Sequence, residues 1–271
     1  MPLAVCATPI GNLEDVTLRV LATLAAADLV LAEDTRHTRK LLSRHGISAS
    51  LRSLHAHNER ERLAEVLERL RRGERVALVS DAGMPAISDP GALLVAAALA
   101  EELPVTVLPG PSAVQAALVA SGLAAERYLF LGFLPRRPAQ LDALWAELDG
   151  WSWPAVAFEA PRRLPETLRS LAAALPERRL AVCRELTKTF EEVVRGSAAA
   201  LSERFAEPPR GEITLVIGAG ERAGPSEELH AREAHAAVAA LLEAGTPRRT
   251  AVEVVAGLSG VGRNELYRAS L

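Results

Sequence analysis

Short, uninterrupted apolar runs separated by longer stretches of helical spacing constrain this chain more than any other feature. Residues 3–7, 29–32, 76–79 and 105–108 are apolar throughout or nearly so, several of them β-branched. Between them residues 16–27, 36–44, 59–72 and 90–101 carry apolar positions at the three-to-four-residue spacing of an amphipathic helix. A strand that is apolar on both faces must be covered on both faces, and strands alternating with helices satisfy that as a parallel sheet. Gly46 and Gly73 stand where a left-handed helix C-cap is wanted. Asp89-Pro90 and Gly110-Pro111 would place proline in a helix's first turn. The first domain is expected to be α/β over residues 1–122.

A second set of strands is expected at 128–132, 155–158, 180–184, 191–195 and 212–217, with helices at 139–148, 165–175 and 198–205. Two of these strands follow one another with only a short gap, so the sheet should be mixed, in a domain spanning 123–220. Residues 218–226 (GAGERAGPS) resemble a linker. The remainder, 227–271, has helical patterns only, with Thr246-Pro247 opening one helix, a turn at 257–262 and a last helix at 264–270. This outline fits a helix-turn-helix and fits a small capping bundle equally well.

Composition narrows the function classes. The chain has 271 residues, 49% hydrophobic and 24% charged, which fits a folded domain pair and excludes a disordered or fibrous chain. The net charge is −3 and the isoelectric point about 6.1, so any contact with a polyanion must be local. Of the 31 basic residues two are lysines, Lys40 and Lys188, and the other 29 are arginines, an excess a GC-rich genome would also produce. Cys6 and Cys183 sit in apolar runs and read as small core residues in a reducing cytosol, not as a disulfide. No run approaches the 18–20 apolar residues, roughly, that a membrane span needs, and the Met-Pro-Leu start lacks a cationic segment, so neither membrane insertion nor export is expected.

In an open parallel sheet, ligands bind beyond the carboxyl ends of the strands. Here those ends run into Thr8-Pro9-Ile10-Gly11-Asn12-Leu13, Glu33-Asp34-Thr35-Arg36-His37-Thr38, the segment from Ser80 to Gly91, and Pro109-Gly110-Pro111-Ser112-Ala113. No glycine-rich dinucleotide fingerprint follows the first strand, and no P-loop occurs anywhere. Ser80-Asp81 with Gly83 offers a carboxylate and free backbone groups, suited to an ammonium or to ribose hydroxyls. The expected ligand is small, polar and partly cationic. In the second half Glu159 directly follows an apolar strand and Glu185 lies three residues from Lys188, positions open to shifted pKa values or to plain salt bridges. His55-x-His57 lacks a further ligand at metal spacing, so no metal site is expected.

Eight segments in order then carry a resemblance: TPIGNLEDVTLR (8–19), AEDTRHTRKLL (32–42), LVSDAGMPAISDPG (78–91), LPGPSA (108–113), GFLPR (132–136), FEAPRRL (158–164), RELTKTFEE (184–192) and RGEITLVI (210–217). On these the chain closely resembles the ribosomal RNA small subunit methyltransferase I family, within the tetrapyrrole-methylase-like, class III group of S-adenosylmethionine enzymes. Met84 stands where that family usually has Thr, and Ala160 and Arg162 where it tends to have Ser and His. The resemblance implies two α/β domains with S-adenosylmethionine in a cleft, here followed by the small helical C-terminal domain, and usually a homodimer. The activity it implies is 2′-O-methylation of a cytidine in the decoding region of 16S rRNA. Its cofactor pocket maps onto Pro9, Ser80, Asp81, Ala82, Gly83, Ile87, Ser112, Ala113, Leu186, Glu212, Ile213 and Thr214. A tetrapyrrole C-methyltransferase and a non-catalytic S-adenosylmethionine-binding module on the ribosome are the alternatives.

For the base that takes the hydroxyl proton the candidates are Lys188, Glu159 and Asp34, with Glu185 beside them. A lysine base would have to be neutral near pH 7, which needs desolvation or neighbouring cations such as Arg184. RNA contacts are expected from Asn12, Arg36 and His37 at the cleft, from Arg136-Arg137 and Arg162-Arg163, and from Arg248, Arg249, Arg263 and Arg268 in the tail. Aromatic residues make up only 4%, so stacking platforms are scarce. The expected substrate is therefore the shape of an assembled 30S subunit in the cytoplasm, read without membrane or metal.

Overall fold

A computed structural model describes residues 2–220, 227–259 and 261–270. The linker-like stretch falls over 221–226 outside the described residues, as does Gly260 in the expected turn. Two compact units result, one made of the chain up to Trp145 together with Trp153–Ala219, the other of Ala146–Ser152 with Gly220–Leu271.

Within the first unit, β1 (Leu3–Cys6), β2 (Leu29–Ala32), β3 (Leu51–Ser53), β4 (Val76–Val79) and β5 (Val105–Leu108) form a parallel sheet in the order β3-β2-β4-β1-β5. Side chains alternate across a strand, so one apolar run feeds two cores. Leu3, Val5, Leu29, Leu31, Val76 and Leu78 face a core shared with α3 (Glu59–Arg71) and α4 (Ala92–Ala100). Ala4, Cys6, Val30, Ala32, Ala77 and Val79 face the opposite core, with α1 (Leu18–Ala26) and α2 (Thr35–Arg44). The connections leave β1 and β4, which are neighbours, in opposite directions, and that is the switch point at which such sheets open a crevice. Strand β3 is three residues long with Arg52 exposed, too short for any periodicity to announce it.

After α5 (Ala113–Ser121) come β6 (Leu129–Phe133), α6 (Pro138–Asp149), β7 (Ala155–Glu159), α7 (Leu164–Ala174), β8 (Arg179–Arg184), β9 (Glu192–Ser197), α8 (Ala198–Arg204) and β10 (Ile213–Ile217). Their sheet runs β6-β7-β10-β8-β9, parallel between β6 and β7 and antiparallel across the other pairs. Helix α5 lays Ala117 and Leu118 on Val156, Ala181, Cys183 and Val216 of this sheet. Arginines fasten its irregular edges: Arg195 donates to the Ala120 and Ser121 carbonyls that end α5, Arg178 to Gly218, and Arg184 to Arg210.

Helix starts differ from the sequence expectation. Pro90 and Pro111 lie one residue before the N-caps Gly91 and Ser112, not inside the first turn. The Ser112 hydroxyl caps α5, whereas α4 is capped in trans: the buried Glu59 carboxylate accepts the N–H groups of Gly91, Leu93 and Leu94. A carboxylate there also meets the positive end of the helix dipole.

The second unit holds α9 (Glu227–Glu243), α10 (Arg248–Ser259) and α11 (Arg263–Ala269) around Ala234, Val238, Ala251, Val252, Val255 and Leu266. Among the described residues no helix is long and apolar enough to cross a membrane.

Candidate active site

At the carboxyl ends of β1 and β4 the two strand-end loops are stitched by a pair of hydrogen bonds. The Thr8 N–H donates to the Gly83 carbonyl at 2.8 Å and the Gly83 N–H returns to Thr8 at 3.0 Å. Gly83 has φ +74°, open to glycine at little cost. Ala86 and Ser88 in the same loop also adopt positive φ, at 67° and 64°, a conformation that costs a residue with a Cβ roughly 1 kcal/mol or more. Backbone held off its preferred basin in this way is typical of a loop shaped around a ligand.

A second junction joins the first loop to the turn after β8. The Asn12 N–H donates to the Thr187 hydroxyl at 3.0 Å. A Cβ on Gly11 would lie 2.5 Å from Lys188 Cγ and 2.8 Å from Thr187 Oγ1, so only glycine fits this approach.

Between these loops lies a cavity of about 380 Å³, inside the range of roughly 300–1,000 Å³ of small-molecule sites. Its walls mix apolar side chains (Ile10, Met84, Val114, Phe133, Phe158) with four carboxylates, Asp81, Asp89, Glu159 and Glu212, and with the N-terminus of α5. Ten of the twelve pocket residues expected from sequence line it. Pro9 and Ser80 do not: both are buried, and Ser80 turns its hydroxyl onto the Ala82 and Gly83 carbonyls. Ile10, one residue beyond Pro9, takes the place at the wall.

The lining carboxylates differ in what they are tied to. Glu159 is buried and accepts from the Thr167 hydroxyl at 2.6 Å and the Ala160 N–H at 2.7 Å, with Arg163 at 3.3 Å. Asp81 accepts the Asp34 N–H at 2.9 Å and faces His37 at 3.6 Å. Glu212 pairs with Lys188 at 2.9 Å. Asp89 has no cationic partner among the described residues, and burial, followed by the charge of Glu33, pushes its pKa up to about 6 against a hydrogen bond from Ser80. Glu33 is raised too, first by burial and then by Asp81. Asp89 was missed from sequence because Asp-Pro reads there as a helix-start signal.

Three of the expected base candidates are engaged by these contacts. Lys188 donates to Glu185 at 2.8 Å as well as to Glu212. Burial pulls its pKa down, but the two carboxylates together outweigh that and hold the ammonium above its ordinary range, the opposite of what a lysine base requires. Asp34 is the N-cap of α2 and is clasped by the Arg36 guanidinium, which, through those hydrogen bonds, holds its carboxyl far below the usual range. The Glu159 carboxylate ties the end of β7 to α7 through the Thr167 hydroxyl. Among the expected RNA contacts, Asn12 is spent on capping a short 3-10 turn at Leu13–Asp15, and Arg163 on the Leu134 and Pro135 carbonyls. Arg36 is paired to Asp34 and Arg249 to Glu253, whereas Arg136, Arg137 and Arg162 are exposed without an ion pair among the described residues. Arg248, Arg263 and Arg268 lie in the helical second unit, Arg263 and Arg268 exposed.

The model of the tetrapyrrole (corrin/porphyrin) methylases matches residues 2–202. A ribosomal RNA small subunit methyltransferase I of Mesorhizobium japonicum is 47% identical over 79% of this chain and 74% of its own. Its namesake in Neisseria meningitidis is 41% identical over 99% of this chain and 92% of its own. The chain belongs to the ribosomal RNA small subunit methyltransferase I family. Among solved structures, the methyltransferase CobJ superposes with a TM-score of 0.60 at 20% identity, covering 82% of this chain and 97% of its own. Diphthine synthase gives 0.60 at 14%, covering 80% and 89%. These share the fold: two α/β halves of tetrapyrrole-methylase type, which in this chain are followed by C-terminal helices.

As a member of the small subunit methyltransferase I family the chain is a methyltransferase whose methyl donor is S-adenosylmethionine. The cavity suits that donor. Of the four lining carboxylates, Asp81 and Asp89 have no lysine or arginine ion pair among the described residues and can face a cationic ligand; Val114 and Ile10 give an apolar wall, and the Ala113 and Val114 end of α5 favours a carboxylate group. Met84 packs against the core and presents an apolar surface to the cavity.

Proposed function

We propose that the chain methylates the 2′-oxygen of a cytidine ribose in the decoding region of 16S rRNA, acting in the cytoplasm as a homodimer on the assembled 30S subunit and without a metal. One observation carries this reading: the cavity at the sheet's switch point, with Arg162 adjoining Pro161 of its wall and Arg136 and Arg137 three and four residues beyond Phe133. The name of the relatives, ribosomal RNA small subunit methyltransferase I, agrees with a methyl donor pocket beside a phosphate-binding rim. For the dimer, β5 is an open sheet edge with Val107 exposed, and Val119 of α5 is exposed too.

S-adenosylmethionine, when bound, supplies a methyl group on a positively charged sulfur. Asp81, Glu212 and the α5 terminus would hold that ligand's polar groups. Holding oxygen, methyl and sulfur in line is worth on the order of 7–11 kcal/mol. Asp89 is the group placed to take the hydroxyl proton: it lines the cavity, has no cation among the described residues to neutralise it, and has a pKa of about 6 that leaves it ionised at pH 7 yet basic enough to accept. In the transfer the Asp89 carboxylate would take the proton that the 2′-hydroxyl gives up, and the donor, when bound, would supply the methyl group with release of a neutral thioether.

The test is transfer of tritiated methyl groups to 30S subunits from a strain lacking the enzyme, beside naked 16S rRNA and a tetrapyrrole. Label is expected in the 30S subunit, in a dinucleotide whose phosphodiester resists alkali because the neighbouring 2′-oxygen is methylated. Label on the tetrapyrrole alone would establish a C-methyltransferase, and no label anywhere a binding module.

A further inference from the structure

Phe133 ends β6 at the cavity rim with 64% of its surface exposed, although it is one of only five phenylalanines in the chain. The backbone presents it there. Gly132 has φ +64°, and the pairing of β6 with β7 slips between Phe130 and Phe133. Behind it the Phe158 ring lies 5.5 Å away, tilted by 59°, and is braced in turn by Phe130 at 5.2 Å. Three rings thus lead from the sheet to the cavity mouth, and the outermost is left in water.

The segments that follow Phe133 and the end of β7 carry arginines and are joined by hydrogen bonds. Arg163 reaches from the turn after β7 to the Leu134 carbonyl at 3.1 Å and to that of Pro135, joining the loop after Phe133 and the Ala160–Arg163 turn into one rim. Arg136, Arg137 and Arg162 are exposed on that rim without an ion pair among the described residues. An exposed ring flanked by unpaired guanidinium groups, opening on a methyl-donor cavity, matches an unstacked nucleotide better than an apolar partner. The ring offers a π-face and the arginines offer bidentate donors to phosphate.

We propose that Phe133 is the stacking platform for the target nucleobase once it has left its helix or loop, with Arg136, Arg137 and Arg162 on the flanking phosphates. This rests on the methyl transfer to RNA proposed above. A ribose cannot bring its 2′-oxygen into a walled cavity while its base stays stacked on neighbours, so an enzyme of this geometry needs a surface that receives the base. Stacking on an aromatic ring is worth about 5- to 150-fold in affinity and tolerates any base. One ring is enough, so a 4% aromatic content does not argue against it.

Steady-state methyl transfer to 30S subunits is measured for wild type, Phe133→Ala, Phe133→Leu, Phe133→Trp and an Arg136→Ala/Arg137→Ala/Arg162→Ala triple variant, with S-adenosylmethionine affinity by calorimetry and thermal midpoints as a folding control. Phe133→Ala should raise KM for the subunit about 10- to 100-fold, change cofactor affinity by much less because the ring stands mostly exposed at the cavity's rim, and keep the wild-type dependence of KM on salt. Phe133→Trp should restore KM and Phe133→Leu should not. The triple variant should flatten the salt dependence by about one phosphate contact per arginine. A Phe133→Ala KM within about twofold of wild type, an equal loss of cofactor affinity, or full rescue by leucine would overturn the platform while leaving RNA methylation standing. Absence of RNA methylation by the wild-type enzyme would overturn both.

Discussion

Replacing Asp89 by asparagine should make the protein more stable and far less active. The carboxyl pKa is raised from 3.8 to about 6 in the folded state, which separates the two protonation states by about 3 kcal/mol. Because the group is only partly shielded from water, solvent screening reduces this to about 1–2 kcal/mol. The sign follows from proton counting. Between about pH 4 and pH 6 the folded state holds a proton that the unfolded state has released, so stability from this group falls as pH rises through that window. The asparagine side chain carries no charge to desolvate and lacks that loss. Urea denaturation from pH 4 to pH 8 should therefore show Asp89→Asn and wild type alike near pH 4, with the variant ahead by about 1–2 kcal/mol from pH 7 upward. In single-turnover methyl transfer the variant should lose about 10²- to 10⁴-fold, together with the acid limb near pH 6. A variant less stable than wild type at pH 7, or one that keeps turnover and its acid limb, would refute the reasoning.

Three other substitutions separate structural from chemical roles. Lys188→Met should cost about 1–2 kcal/mol at pH 7 while lowering turnover less than tenfold. The Glu185 carboxyl is held below its ordinary pKa by the hydrogen bond from Lys188, so that stability exists above about pH 4.3 and the gap to wild type closes as pH falls below it; a hundredfold loss of turnover would restore the lysine as base. Glu159→Ala strands the Thr167 hydroxyl, the Ala160 N–H and Arg163, which should cost about 3–5 kcal/mol in urea; lost turnover at unchanged stability would revive Glu159 as base. Gly11→Ala forces a methyl group against Lys188 and Thr187, so about 1–3 kcal/mol of overpacking should appear in urea denaturation and weaken cofactor binding through Leu186; unchanged affinity and stability would mean that these loops slide freely.

The first sheet was legible because a fully buried strand must be apolar at every position, as β1, β2 and β4 are. Strand β3 was not, since three residues carry no pattern. Helix α5 left only its proline signal: apolar nearly throughout and packed on the second sheet, it lacks a polar face to reveal its period. The rim loops followed from the strand-end rule, but which side chains turn into the cavity depends on loop geometry that spacing does not encode. Pro9 and Ile10 are adjacent and both buried, yet only Ile10 lines the cavity. Lys188 shows the same limit in electrostatics, because its two partners include Glu212, which is 24 residues away and is brought near only by the β10–β8 pairing.

The arginines that fasten α5, β8 and the Phe133 rim give the chain two populations of the same residue. Arg163, Arg178, Arg184 and Arg195 bind main-chain carbonyls, contacts between a cation and a fixed dipole that dissolved ions weaken little. Arg136, Arg137 and Arg162 face water, where contacts with phosphate fade steeply as ionic strength rises. Raising salt should therefore silence the enzyme by releasing its substrate long before it loosens the fold. Lysine, with one compact ammonium in place of a planar fork, could serve the second population far better than the first.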